Sequence, residues 1–164
     1  NAEKRDFLLM NATALKSLQP TNVHSSAPRL PDDYRQHGWA ILEHPEPSPS
    51  EFDPLKLDLY ELSAEDIAEN LTLADIRTRL LNIRKIFPTA CAFEHFYGDH
   101  SLISGAWFSP DIGKIYFLGT VYADGSGDAC VRCLCFERGQ FRQKFVALKS
   151  TVDMKDCIVV IKND

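Results

Sequence analysis

Ten consecutive residues hold the densest chemistry in the chain: Cys91-Ala92-Phe93-Glu94-His95-Phe96-Tyr97-Gly98-Asp99-His100. A thiol, two imidazoles and two carboxylates are the parts from which a nucleophile, its base and an orienting group are built. Such parts act together only when their atoms stand about 3 Å apart. The run is rich in aromatics and follows Pro88, which predicts a strand over 90–97. On a strand Cys91 and His95 share a face but stand roughly 13 Å apart, so the two cannot form a dyad with each other. Glu94 faces the other way. His95 is therefore the candidate catalytic residue, a general base in a pocket, aided by a tyrosine or carboxylate from a neighbouring strand. Its plainer role is a hydrogen-bonded histidine in or beside the core. Asp99 and His100 belong to a solvated turn.

The second reactive string is Cys130-Val131-Arg132-Cys133-Leu134-Cys135. A structural zinc ion needs four ligands within about 2.3 Å of one point. Strand alternation sends Cys133 and Cys135 to one face and Cys130 to the other, so the three read as buried structural thiols. Asp124-Gly125-Ser126-Gly127-Asp128 superficially follows a calcium loop, but Ala129 stands where the glycine belongs and Cys135 where the bidentate glutamate belongs. It reads as a hairpin loop. No metal and no cofactor is expected. Phe141-Arg142-Gln143-Lys144-Phe145 interleaves rings with cations on a single strand, weak support for stacking on bases.

These residues need elements to hold them. Phe7, Leu8, Ala14, Leu15 and Leu18 recur at helical spacing, predicting a helix over 3–18 that Pro20 stops. Seven of the nine prolines fall between Gln19 and Pro54, a stiff arm broken by one strand-like island, Gly38–Glu43. Leu55–Leu62 alternates as a half-buried strand with Leu55, Leu57 and Leu59 inward. Ser63 caps a helix over 63–87, which is one helix or two, since Thr72 can cap a second. Asp75 and Arg79 are spaced as an i, i+4 pair on it. Beyond Thr89 the strands are placed at 90–97, 101–108, 113–122, 129–136, 140–149 and 156–162, separated by hairpin turns.

The fold class is thus α+β: an N-terminal helix and proline-rich arm (3–54), then one domain (55–164) in which the 63–87 helix packs on a curved antiparallel sheet of about six strands. Asn1-Ala2 reads as the remnant of a cleaved tag. Ile115, Phe117 and Val121 alternate with Tyr116, Leu118 and Tyr122, so both faces of that strand are apolar and something must cover the second: the arm, a partner or a ligand.

Composition narrows the function. Eighteen Lys and Arg against 23 Asp and Glu leave a formal charge of −5, which argues against nucleic-acid binding through bulk charge. No apolar run reaches the roughly 20 residues that cross a bilayer. Five cysteines, an odd number, cannot all pair within the chain and favour a reducing cytoplasm. An extracytoplasmic home stays open if a leader or anchor once preceded Glu3. The acidity lies in residues 3–62, net −4, and not in the sheet. An acidic, proline-stiffened arm beside a doubly apolar sheet suits a non-catalytic module that docks a protein partner. The alternative is a small enzyme or small-molecule binder with a pocket between helix 63–87 and the sheet, using His95.

Overall fold

The computed structural model describes Leu30, residues 32–99, Trp107 and residues 111–163. The helix expected over 3–18 and nearly all of the strand expected over 101–108 lie outside the described residues. Six strands form one sheet: β1 (Ala40–Glu43), β2 (Leu57–Glu61), β3 (Lys114–Ala123), β4 (Ala129–Glu137), β5 (Gln140–Ala147) and β6 (Cys157–Ile161). Among the described residues four α-helices accompany them: α1 (Asp32–Gln36), α2 (Ala64–Ala68), α3 (Leu73–Asn82) and α4 (Ala90–Gly98). The α+β class holds.

The sheet runs β2-β6-β3-β4-β5, with β1 paired on β3 as well. All pairs are antiparallel except β3 with β6, where Ile115 aligns with Cys157 and Tyr116 with Ile158 in parallel register. Short hairpin turns alone predict a meander of antiparallel neighbours. The β5–β6 connection departs from that pattern by carrying the chain back across the sheet, so that β6 lies beside β3. The long β3 is the spine, its first half beside β6 and its last residues beside β1.

Expected strand 55–62 begins two residues late. Pro54–Lys56 is a 3-10 turn, capped by Asp53 through the Leu55 N–H, and leaves Leu55 81% exposed while Leu57 is buried. The stretch 63–87 holds two helices. Ser63 accepts from the Asp66 N–H while Asp66 reaches back to the Ser63 N–H, and Thr72 and Asp75 repeat that reciprocal box on α3. Asn70 sits between them with φ +51°, a left-handed turn that asparagine tolerates well. Arg79 is not hydrogen-bonded to Asp75; its guanidinium spans back to Asp66 at 3.1 Å and Glu69 at 2.5 Å, tying α3 to α2. Leu73, Ile76 and Leu80 put the apolar stripe of α3 onto Tyr116, Leu118, Val131, Cys133, Ile158 and Val160. Each such side chain contributes about 1.5–3 kcal/mol of burial, as an upper bound.

Residues 90–98 correct the sequence reading most. They form a helix, α4, not a strand. Thr89 is its N-cap, accepting from the Cys91 N–H at 3.2 Å, and Ala90, Phe93 and Phe96 follow at helical spacing. Pro88 stands just ahead of that cap. The buried face of α4 lies on Ile115, Phe117, Leu134, Val159 and Ile161, joined by Trp107. The second apolar face is therefore covered in its centre by α4. Leu30, Tyr34 and Trp39 cover only one corner, around Tyr122 and Phe145.

Between Phe117 and Tyr122 the β3–β4 register shifts. That irregularity swaps the faces: Leu118 and Val121, three residues apart, both enter the α3 side, whereas Tyr122 turns to the α4 side. The carbonyl of Leu118 within the irregular stretch accepts from Arg77 Nε at 3.1 Å.

Candidate functional site

The first turn of α4 meets the irregular part of β3 and the end of β1, and three chemically capable side chains gather there. Gly119 permits the approach: a Cβ on it would stand 2.4 Å from the Pro88 carbonyl oxygen, so only a residue without one lets β3 pass so close to the start of α4. The next residue, Thr120, is buried, and its Oγ1 accepts the Ala90 N–H at 2.8 Å. The same oxygen lies 2.8 Å from Nδ1 of His44, a fully buried histidine one residue past β1. On its other side, Nε2 of His44 lies 3.7 Å from Sγ of Cys91, a contact within sulfur hydrogen-bonding range. The ring tautomer decides the chemistry: the form with Nδ1–H directed at Thr120 leaves the lone pair on Nε2, facing the thiol.

The proline-rich segment supplies the fourth component. Pro49–Phe52 is a 3-10 turn whose Glu51, 1% exposed, caps the start of α4. Its carboxylate accepts from Thr89 Oγ1 at 2.5 Å and from the Thr89 N–H at 3.2 Å. Burial pushes the Glu51 carboxyl above its ordinary value, opposed by the bonds from Thr89 and by backbone groups of Ser48 and Ala92. A helix N-terminus would otherwise lower a thiol pKa. Here Glu51 already occupies it, and burial, reinforced by the charges of Glu51 and Glu94, raises the Cys91 thiol. Cys91 rests as a neutral thiol with an imidazole beside it.

The other cysteines differ. Burial holds Cys130 and Cys157 up to about 11 and Cys133 up to about 12, and these thiols pack as small apolar groups. Cys135 is likewise buried and raised by that burial. Cys91 alone among the five is only half-buried. Among the described residues no three His, Cys, Asp or Glu side chains adopt metal-holding geometry.

His95, the candidate from sequence, stands on the exposed side of α4. Its ring meets Phe52 edge-on at 5.6 Å and Phe96 at 5.2 Å. The pocket expected between the 63–87 helix and the sheet is filled by Leu73, Ile76, Leu80 and Phe87. What sequence reasoning missed is His44. It is a lone histidine between Glu43 and Pro45, and 47 residues separate it from Cys91. Only the β1–β3 pairing brings it to the site.

One turn further along α4 lies a recess of about 290 Å³, lined by Tyr34, Glu94, Tyr97, Arg132, Gln143 and Phe145, with Gly98 at its edge. Arg132 forms its floor. The guanidinium lies over the rings of Phe93, Tyr122 and Phe145 at 5.1–5.6 Å and donates to Tyr122 Oη, Gln143 Oε1 and Glu94 Oε1 at 3.0–3.2 Å. A larger, open groove of about 620 Å³ follows the outer side of β5 near Tyr97 and Arg138. His95 lines neither. No family model, no curated protein and no solved structure matches the chain.

Proposed function

We propose that the protein is a small thiol-dependent enzyme in which Cys91 is the nucleophile, His44 its general base and Thr120 the group that holds the imidazole. The single observation that supports this is the relay Thr120–His44–Cys91, with contacts of 2.8 and 3.7 Å at the start of a helix. In the step it implies, Sγ forms a bond to an electrophilic carbon of a small substrate while Nε2 takes the thiol proton. That proton then passes to the leaving group. Because burial and two carboxylates keep the thiol protonated, the base is required: Cys91 reacts through His44 and not as a standing thiolate. The partner-docking alternative drew its support from an uncovered apolar face, and α4 fills the centre of that face.

The test is alkylation of the native chain by iodoacetamide at pH 7.5, with the modified peptide identified by mass. Cys91 is expected to react well ahead of Cys130, Cys133, Cys135 and Cys157, which open only in denaturant. His44→Asn is expected to slow Cys91 by at least about tenfold, the low end of what a positioned base supplies. Equal rates in the native and His44→Asn proteins would refute the relay.

A further inference from the structure

We infer that the Arg132 recess is the substrate subsite of this enzyme and that it takes a small aromatic carboxylate. Calling the recess a substrate subsite rests on the reading of Cys91 as nucleophile; the binding of the acid stands on the recess alone.

Its chemistry is set by one buried cation and its surroundings. The Arg132 side chain is 10% exposed, its guanidinium carbon within 5.6 Å of three ring centres, and it is fixed by hydrogen bonds to Tyr122 and Gln143. A third bond goes to Glu94, whose own side chain is 46% exposed at the rim. A carboxylate already sits on the accessible side of the guanidinium, and it belongs to a mobile-length side chain that water can reach. A ligand carboxylate can take that place at little cost, because a partly exposed ion pair is weak and a planar acid matches the fork of the guanidinium. The rest of the recess is aromatic: Tyr34, Tyr97 and Phe145 form walls suited to a flat ring. A volume of about 290 Å³ lies at the small end of ligand sites, enough for a monocyclic acid.

Position completes the argument. Cys91 and Glu94 stand three residues apart on α4, roughly 5 Å along its axis and on neighbouring sides. Tyr122, which holds Arg132 Nε, also lies within electrostatic reach of both Cys91 and Glu94. The recess thus begins about one helical turn from the thiol, and a substrate acid anchored on Arg132 needs its electrophilic carbon at about that reach from its carboxylate.

The experiment titrates the full chain with benzoate, phenylacetate, benzamide and acetate, followed by calorimetry and ligand-observed NMR. Benzoate or phenylacetate should bind at least about ten times more tightly than benzamide or acetate. Glu94→Gln removes the resident competitor and should tighten the aromatic acids by about threefold, the worth of a partly exposed ion pair. Arg132→Gln should abolish binding; if that variant fails to fold, Glu94→Gln decides. Equal affinity for benzoate and benzamide, weaker binding in Glu94→Gln, or no binding by either protein would overturn the inference. Cys91→Ser should bind the acids unchanged. Loss of acid binding alongside intact His44-dependent alkylation defeats the subsite alone, and the reverse result defeats the thiol chemistry alone.

Discussion

Glu51 offers the most exacting test of how the arm, the helix and the site are joined. Replacing it with alanine removes two hydrogen bonds to an ionised carboxylate and leaves the Thr89 N–H and hydroxyl buried without their acceptor. Each bond to a charged group is worth about 1.5–3 kcal/mol, a gross loss of about 3–6 kcal/mol. Hydration that the carboxylate recovers on unfolding offsets part of this, which leaves a net cost of about 3 kcal/mol for Glu51→Ala. Glu51→Gln keeps one acceptor and should cost about 1–2 kcal/mol. With a urea m-value of about 2 kcal/mol/M, the alanine variant unfolds about 1.5 M earlier. The pH dependence has a definite sign. Burial raises the folded pKa of Glu51 above its ordinary 4.5, so between 4.5 and the raised value the folded chain binds more protons than the unfolded one. Wild-type stability therefore falls as pH rises through that window. The glutamine variant has no such proton, and its deficit narrows over the same range. Urea curves at pH 4 to 7 measure both effects. A loss under about 1 kcal/mol for Glu51→Ala, or a wild-type–glutamine gap that stays constant with pH, would refute the claim that this carboxylate fastens the arm to α4.

Two further substitutions probe the scaffold around the site. Gly119→Ala drives a Cβ into the Pro88 carbonyl at 2.4 Å, where every atom it meets is backbone, and should cost about 3 kcal/mol or more in denaturant titrations, with His44-dependent alkylation of Cys91 lost first. Stability and alkylation unchanged in that variant would contradict the close approach. Thr72→Ala breaks the reciprocal cap on α3 and should cost about 1 kcal/mol, read as a fall of about 2–4 °C in Tm. An unchanged Tm would mean that packing on Tyr116 and Ile158 holds α3 without its cap.

How far these features could be read in advance depends on whether their cause is local. The caps on α2 and α3 were legible because Ser63 with Asp66, and Thr72 with Asp75, carry their signal within four residues. The hairpins β3–β4 and β4–β5 were legible because alternation and turn residues adjoin. The helix α4 was not, because Phe93, Phe96 and Tyr97 favour strands and Pro88 reads as the end of the helix before it. The corrective signal was present: Thr89 as a cap, followed by alanines and by Ala90, Phe93 and Phe96 at helical intervals. Missing it spread Cys91 and His95 along an extended chain and hid the contact between Cys91 and His44. His44 gave no such signal. Its position beside Cys91 follows from the strand pairing of Ile41 with Tyr122, not from any neighbour in sequence.

The insertion of β6 between β2 and β3 bears on when this protein can finish folding. Leu57 on β2 waits for Ile161, about a hundred residues later, before it has a strand beside it. During synthesis on the ribosome β2 emerges early and stays without its neighbour until β6 is made, so the nascent chain passes through a stage with two open edges and a missing middle. Closing that gap joins strands about a hundred residues apart, a non-local pairing of the kind that slows folding, and chaperone dependence during production should track the delay in delivering residues 157–161.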